Sequence, residues 1–151
     1  METQALSQLL DLSVVILANL TNLLLAVMFL LRGAGTPQAG NRFGWAAVVL
    51  GIPLAAAAAL NAAGGRPGWT IVLPALMVAY NVVEFLLDFI LKFDFRHSRW
   101  LGPYLGLFYL AQMGLIGYGF AVGRVYGYIT LATYFVCLAT TAWSYAQVKH
   151  G

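Results

Sequence analysis

The chain has 151 residues, 62% of them hydrophobic and 9% charged, with a formal net charge of +3. An ordinary soluble domain carries about 45–50% apolar and about 25% charged residues, so the apolar surplus has to face lipid. The expectation is an all-α, polytopic integral membrane protein, a single transmembrane domain over 1–151 with five helices in one bundle. Only eight Lys and Arg are present and no dense basic run occurs, which argues against a nucleic-acid partner.

The chain opens METQALSQLLDLSVVILANL, with no positive leader region and an apolar run longer than a signal-peptide core, and reads as a retained first span over about 7–31. Asp11, Ala18, Asn19, Asn22 and Ala26 share one face of it. Arg32 to Pro37 is turn-forming, and a second span follows over 43–63, rich in Ala and Gly, with Gly51 and Pro53 loosening its backbone near mid-height. Gly64-Gly65-Arg66-Pro67-Gly68 is the next turn. The third span, 69–92, contains the stretch YNVVEFLLDFILK and carries Asn81, Glu84, Asp88 and Lys92 within an arc of about 80°.

The fourth span, 103–122, starts with Pro103 in its first turn, where a missing N–H costs nothing. Gly102, Gly106, Gly114 and Gly117 suit it to close helix packing. Gly123-Arg124 makes a very tight break before the fifth span, 125–147, whose Tyr126, Thr130, Thr133, Cys137, Thr140 and Ser144 form one stripe. Five spans put the termini on opposite sides. Arg32, Arg42, Lys92, Arg96, Arg99 and Lys149 fall on one side against Arg66 and Arg124 on the other, so the positive-inside rule places the N-terminus outside and the C-terminus in the cytoplasm. A multi-pass protein of a prokaryotic-type plasma membrane is the expected setting.

Counting to the middle of each span gathers Asn19, Asn22, Asn81, Gln112, Thr133 and Cys137 near the bilayer midplane, with Glu84 just beyond. An ionised acid at that depth costs about 2.5–3.5 kcal/mol on insertion scales, and such residues face a bundle interior or water. Glu84 is therefore the leading candidate for a proton or cation site, with Asn81, Asn19, Asn22, Gln112 and Asp88 as companions. The structural alternative is a neutral Glu84 hydrogen-bonded to Asn19, Asn22 or Gln112 as interhelical glue. Asp88 and Lys92, at i and i+4 in the favourable order, are expected to pair at the interface. Arg96, His97, Arg99 and Lys92 form a basic rim suited to anionic lipid or a partner.

The two histidines, His97 and His150, both fall at the cytoplasmic edge, which disfavours a bis-histidine haem and histidine-rich di-iron centres. No cofactor and no metal are expected, and GxSxG, HExxH and Walker-type motifs do not occur. The Asn81-x-x-Glu84-x-x-x-Asp88 spacing loosely resembles the acidic helices of membrane prenyl- and phosphotransferases, which hold a metal-diphosphate. Those enzymes add a second acidic motif, whereas the other acids here are Glu2, Asp11 and Asp94. In topology alone, five aromatic-rich spans resemble the tryptophan-rich sensory proteins.

Three functions follow as expectations. The first is a small proton- or cation-linked transporter or channel-type protein built on Glu84. The second is a noncatalytic membrane subunit or lipid-interacting scaffold. The third, less favoured, is an enzyme acting on a lipid at the cytoplasmic edge through Asp88, Asp94, Arg96 and His97. Membrane lipids are the partner that composition implies. Five spans are few for a wide pathway, which leaves a homo-oligomer or a larger membrane complex open.

Overall fold

The computed structural model describes residues 2–91 and 99–148. It is all-helical, with five helices long and apolar enough to cross a membrane: Gln4–Gly33, Pro37–Ala63, Trp69–Leu87, Leu101–Val122 and Arg124–Gln147. This composition and length are compatible with an integral membrane protein. Lys92, Asp94, Arg96, His97, Lys149 and the side chain of Asp88 lie outside the described residues. Arg99 is exposed in the turn before the fourth long helix.

α1 (Glu2–Gly33) is about 48 Å long at 1.5 Å per residue, longer than a hydrocarbon core of about 30 Å. It ends in a Schellman-type cap: Gly35 is left-handed at φ 80°, and the Thr36 N–H reaches the Leu31 carbonyl at 2.9 Å. The second span is two helices in sequence, α2 (Pro37–Val49) and α3 (Gly51–Ala63), separated at Leu50. Pro53 has no N–H to give the Val49 carbonyl four residues earlier, which breaks the ladder there. α3 closes as α1 does, on a left-handed Gly65 at φ 62° with the Arg66 N–H on the Asn61 carbonyl.

α4 (Trp69–Glu84) contains Pro74 and runs directly into a π-helical turn, Phe85–Ile90, whose wider winding shows in the Leu91 N–H bonded to the Leu86 carbonyl at 2.8 Å. α5 (Leu101–Val122) and α6 (Arg124–Val148) are separated by Gly123 alone. The expected break therefore stands and is one residue wide. Their backbones cross closely beside it, where a Cβ on Gly119 would lie 3.1 Å from the Gly127 Cα.

Each helix packs on the next in the chain, and α6 returns to α1, so the five spans close into a ring. Contacts fix the register. Trp45 meets Phe85 and Gly51 meets Asn81 between the second span and α4. Trp69 meets Tyr118 edge-to-face and Tyr80 meets Phe108 at a tilt between α4 and α5. α1 and α6 run parallel, with Asn19 beside Thr130 and Gly33 against Trp143 and Ser144. The core of Val14, Ala18, Leu25, Met28, Leu54, Met77, Leu115 and Cys137 fills the ring. The glycines of α5 divide: Gly114 lets the Leu73 carbonyl come within 3.3 Å of where its Cβ would be, whereas Gly102 and Gly106 face open space.

Candidate functional site

The third span presents Asn81 and Glu84 to the protein, and both are buried, at 4% and 7% exposure. The antiparallel pairing of α4 and α5 sets Tyr104 opposite Glu84. Tyr104 donates its phenolic proton to the Glu84 Oε2. Its oxygen lies 2.8 Å from that of Tyr80. A phenol has one proton to give, so Tyr80 donates to Tyr104 when Tyr104 donates to Glu84, and the three form a directed chain.

The chain lines a small, partly open cavity of about 40 Å³ among α1, α4, α5 and α6, walled by Met28, Phe29, Phe108, Leu138 and Tyr145 as well. That volume has room for about two or three waters. Arg32 and Thr141 also reach its wall. Arg32 donates to the Asn41 Oδ1 at 2.9 Å, so its guanidinium is tied to the end of the bundle where α1 turns into α2. Glu84 therefore stands between a buried tyrosine pair and a cavity whose lining includes Arg32.

The other expected companions form a separate arrangement. Asn19 donates to the Val15 carbonyl at 2.8 Å and to the Thr130 Oγ at 3.2 Å, and it accepts from Thr133 at 2.8 Å. Asn22 donates to the Thr133 Oγ at 3.1 Å. These amides and hydroxyls stitch α1 to α6. Glue of the expected kind is present, but the carboxyl of Glu84 is held by Tyr104 and not by an amide of Asn19, Asn22 or Gln112. Gln112 lies about two turns along α5 from Tyr104, toward the 64–68 loop. Both ends of its amide are buried without a hydrogen-bond partner among the described residues, as are the Nδ2 of Asn81 and the Oδ1 of Asn22.

A further polar cluster stands at the opposite end of the bundle. Arg66 bonds Asp11 Oδ2 at 2.8 Å and Asn61 Oδ1 at 2.8 Å, and Tyr118 donates to Asp11 Oδ1 at 2.6 Å. Asn61 in turn donates to the Thr70 carbonyl at 2.9 Å. That carbonyl is the one Pro74, four residues on, has no N–H to satisfy. The hydrogen bond that Arg66 donates to the Asp11 carboxylate raises the pKa of the guanidinium above its usual value, against the opposing pull of burial. An open recess of about 590 Å³, lined by Ala5, Gln8, Leu9, Asp11, Leu12, Val122 and Tyr126, adjoins it.

Sequence reasoning did not single out this cluster, nor the tyrosines. A signal for the cluster existed: Asp11 and the turn bearing Arg66 both count to the same end of the bundle. Nothing in the pattern of α5 marked Tyr104 apart from its other aromatics. Among the described residues, no three His, Cys, Asp or Glu converge as a metal site would require. Compared with known protein families, curated proteins and solved structures, the chain matches none of them.

Proposed function

We propose that this chain is a small membrane protein that moves protons, alone or with a solute, using Glu84 as the carrier. The observation that carries the reading is the buried Glu84 carboxyl, bonded to Tyr104 on the wall of a partly open cavity whose lining includes Arg32. A carboxyl buried among apolar helices exchanges a proton only if water or a relay reaches it, and the cavity and the Tyr80–Tyr104 pair supply both.

The surroundings favour a proton over a metal cation. A hard divalent ion such as Mg²⁺ or Ca²⁺ takes six or more oxygen ligands, whereas among the described residues this cavity offers one carboxylate and has Arg32 in its lining. The cavity is also too small for an organic solute. The π turn that begins at Phe85, immediately after Glu84, supports the reading, because such turns recur where a helix must present a functional group. On this proposal the Arg32 end faces the cytoplasm, in keeping with the positive-inside count, and the 64–68 loop faces outward.

The test is proton flux into proteoliposomes, followed with a pH-sensitive dye under an imposed membrane potential. Glu84→Gln keeps the size and the hydrogen bond from Tyr104 but cannot carry a proton. It is expected to insert and melt like the parent while losing at least about tenfold in flux. Tyr104→Phe is expected to lose a smaller part. Full flux through Glu84→Gln would overturn the proposal and leave the carboxyl a structural group.

A further inference from the structure

The recess of about 590 Å³ beside the Asp11–Arg66 pair has a mixed wall, to which Gln8, Asp11 and Tyr126 bring polar atoms and Leu9, Leu12 and Val122 apolar ones. Its size lies within the range of about 300–1,000 Å³ usual for small-molecule sites. Gln8 and Asp11, three residues apart, share one face of α1, and Val122 and Tyr126 flank the Gly123 turn. The recess therefore stands at the end of the bundle that carries the 64–68 loop. In a membrane that end meets the interface, where a charged group keeps water while an apolar body beside it enters the hydrocarbon.

Among the described residues, Asp11 is the one charged side chain in that wall. A carboxylate offers about four acceptor positions, of which Arg66 fills one on Oδ2 and Tyr118 one on Oδ1. Neither partner lines the recess, so both hold the carboxylate from behind, and its side chain remains 17% exposed. Tyr126 is 37% exposed across from it. A wall with a carboxylate, no cation and a half-exposed phenol ring disfavours an anion. It suits a cation that carries several N–H donors, since an ammonium can donate to a carboxylate and also lie against an aromatic ring.

The geometry points to a binding site for an amphipathic organic ammonium ion. Its N–H groups donate to Asp11, with the Gln8 carboxamide oxygen as a second acceptor, and its apolar body lies against Leu9, Leu12 and Val122. Arg66 offsets part of the carboxylate's charge, so hydrogen bonds and apolar contact share the binding with Coulomb attraction. The site does not rest on Glu84 or its proton chemistry.

Equilibrium dialysis of tritium-labelled phenylbutylamine against the full chain in phosphatidylcholine nanodiscs, with uptake by empty discs subtracted, tests this. Saturable binding of one amine per chain is expected at neutral pH, and phenylbutanol, the same body without the charge, should not displace it. Gln8 is exposed, so changes there leave the core untouched. Gln8→Lys sets a tethered ammonium one turn from Asp11 and should weaken binding at least about threefold, whereas Gln8→Glu adds a second carboxylate and should strengthen it by a similar factor. Asp11→Asn should weaken it at least about tenfold. Uptake that never saturates, displacement by phenylbutanol, equal binding by Asp11→Asn, or binding that Gln8→Lys and Gln8→Glu leave unchanged would each overturn the inference.

Discussion

Arg66 serves three acceptors from one planar group: the Asp11 carboxylate, the Asn61 amide oxygen and, at 3.4 Å, the Ser7 carbonyl. Arg66→Ala would leave Asp11, 17% exposed in its side chain, with Tyr118 alone. The expected cost is about 1–3 kcal/mol, read as a lower melting temperature in detergent. Arg66→Lys should recover only part of it, since an ammonium has no fork with which to hold Asp11 and Asn61 together. The pH dependence has a definite sign. A cation whose folded pKa is raised contributes stability below its unfolded pKa and loses it only as pH rises through the folded one. For a guanidinium that window lies at extreme alkalinity, so the melting difference between the parent and Arg66→Ala should stay flat from neutral to mildly alkaline pH. The same residues show how far a sequence carries. The 3.6-residue period put Ala18, Asn22, Ala26, Asn81 and Glu84 on inward faces, and all five are buried. A wheel assigns a face, however, and not a neighbour. Glu84 has Tyr104 opposite because of the register of two adjacent helices, which no single-helix pattern contains.

Among the elements, α4 is held at both its irregular points by its neighbours. Pro74 removes the donor to Thr70, and Asn61 on α3 replaces it. Asn61→Leu should therefore cost about 1–3 kcal/mol. Restoring the backbone donor with Pro74→Ala should recover part of that loss in the double variant. A double-mutant cycle on melting free energies checks this: coupling of at least about 0.5 kcal/mol is expected, and additive single effects would rule it out. Turn chemistry marked where the helices break, down to the lone Gly123, although the second span's helix begins at Pro37 and not near 43, and the expected end of the third at 92 lies outside the described residues. The π turn was not legible, because FLLDFI reads as ordinary helix and its extra width is a matter of backbone winding. The Leu50 break was half legible: Pro53 announced it, but the residue where two helices would separate depends on how the freed backbone settles.

For the molecule as a whole, orientation is testable with its own cysteine. Cys137 is 1% exposed and should stay unlabelled by a membrane-impermeant maleimide in intact cells. Ala34→Cys and Gly68→Cys then report on the two ends. The proposed orientation expects Gly68→Cys to label from outside and Ala34→Cys only after permeabilisation; the reverse pattern would invert the topology. The closure of the ring by its first and last helices also bears on how the protein is made. The amides of Asn19 and Asn22 find their hydroxyl partners on α6, 111 positions later in the chain. In a membrane, α1 would enter the bilayer with the Asn22 amide facing lipid and with Asn19 bonded only to the Val15 carbonyl of its own helix, and both would wait for nearly the whole chain before α6 reaches them. If the chain inserts as its composition expects, a truncated or stalled copy would display the Asn22 amide in hydrocarbon, a mark by which membrane quality control can tell an unfinished copy from a complete one.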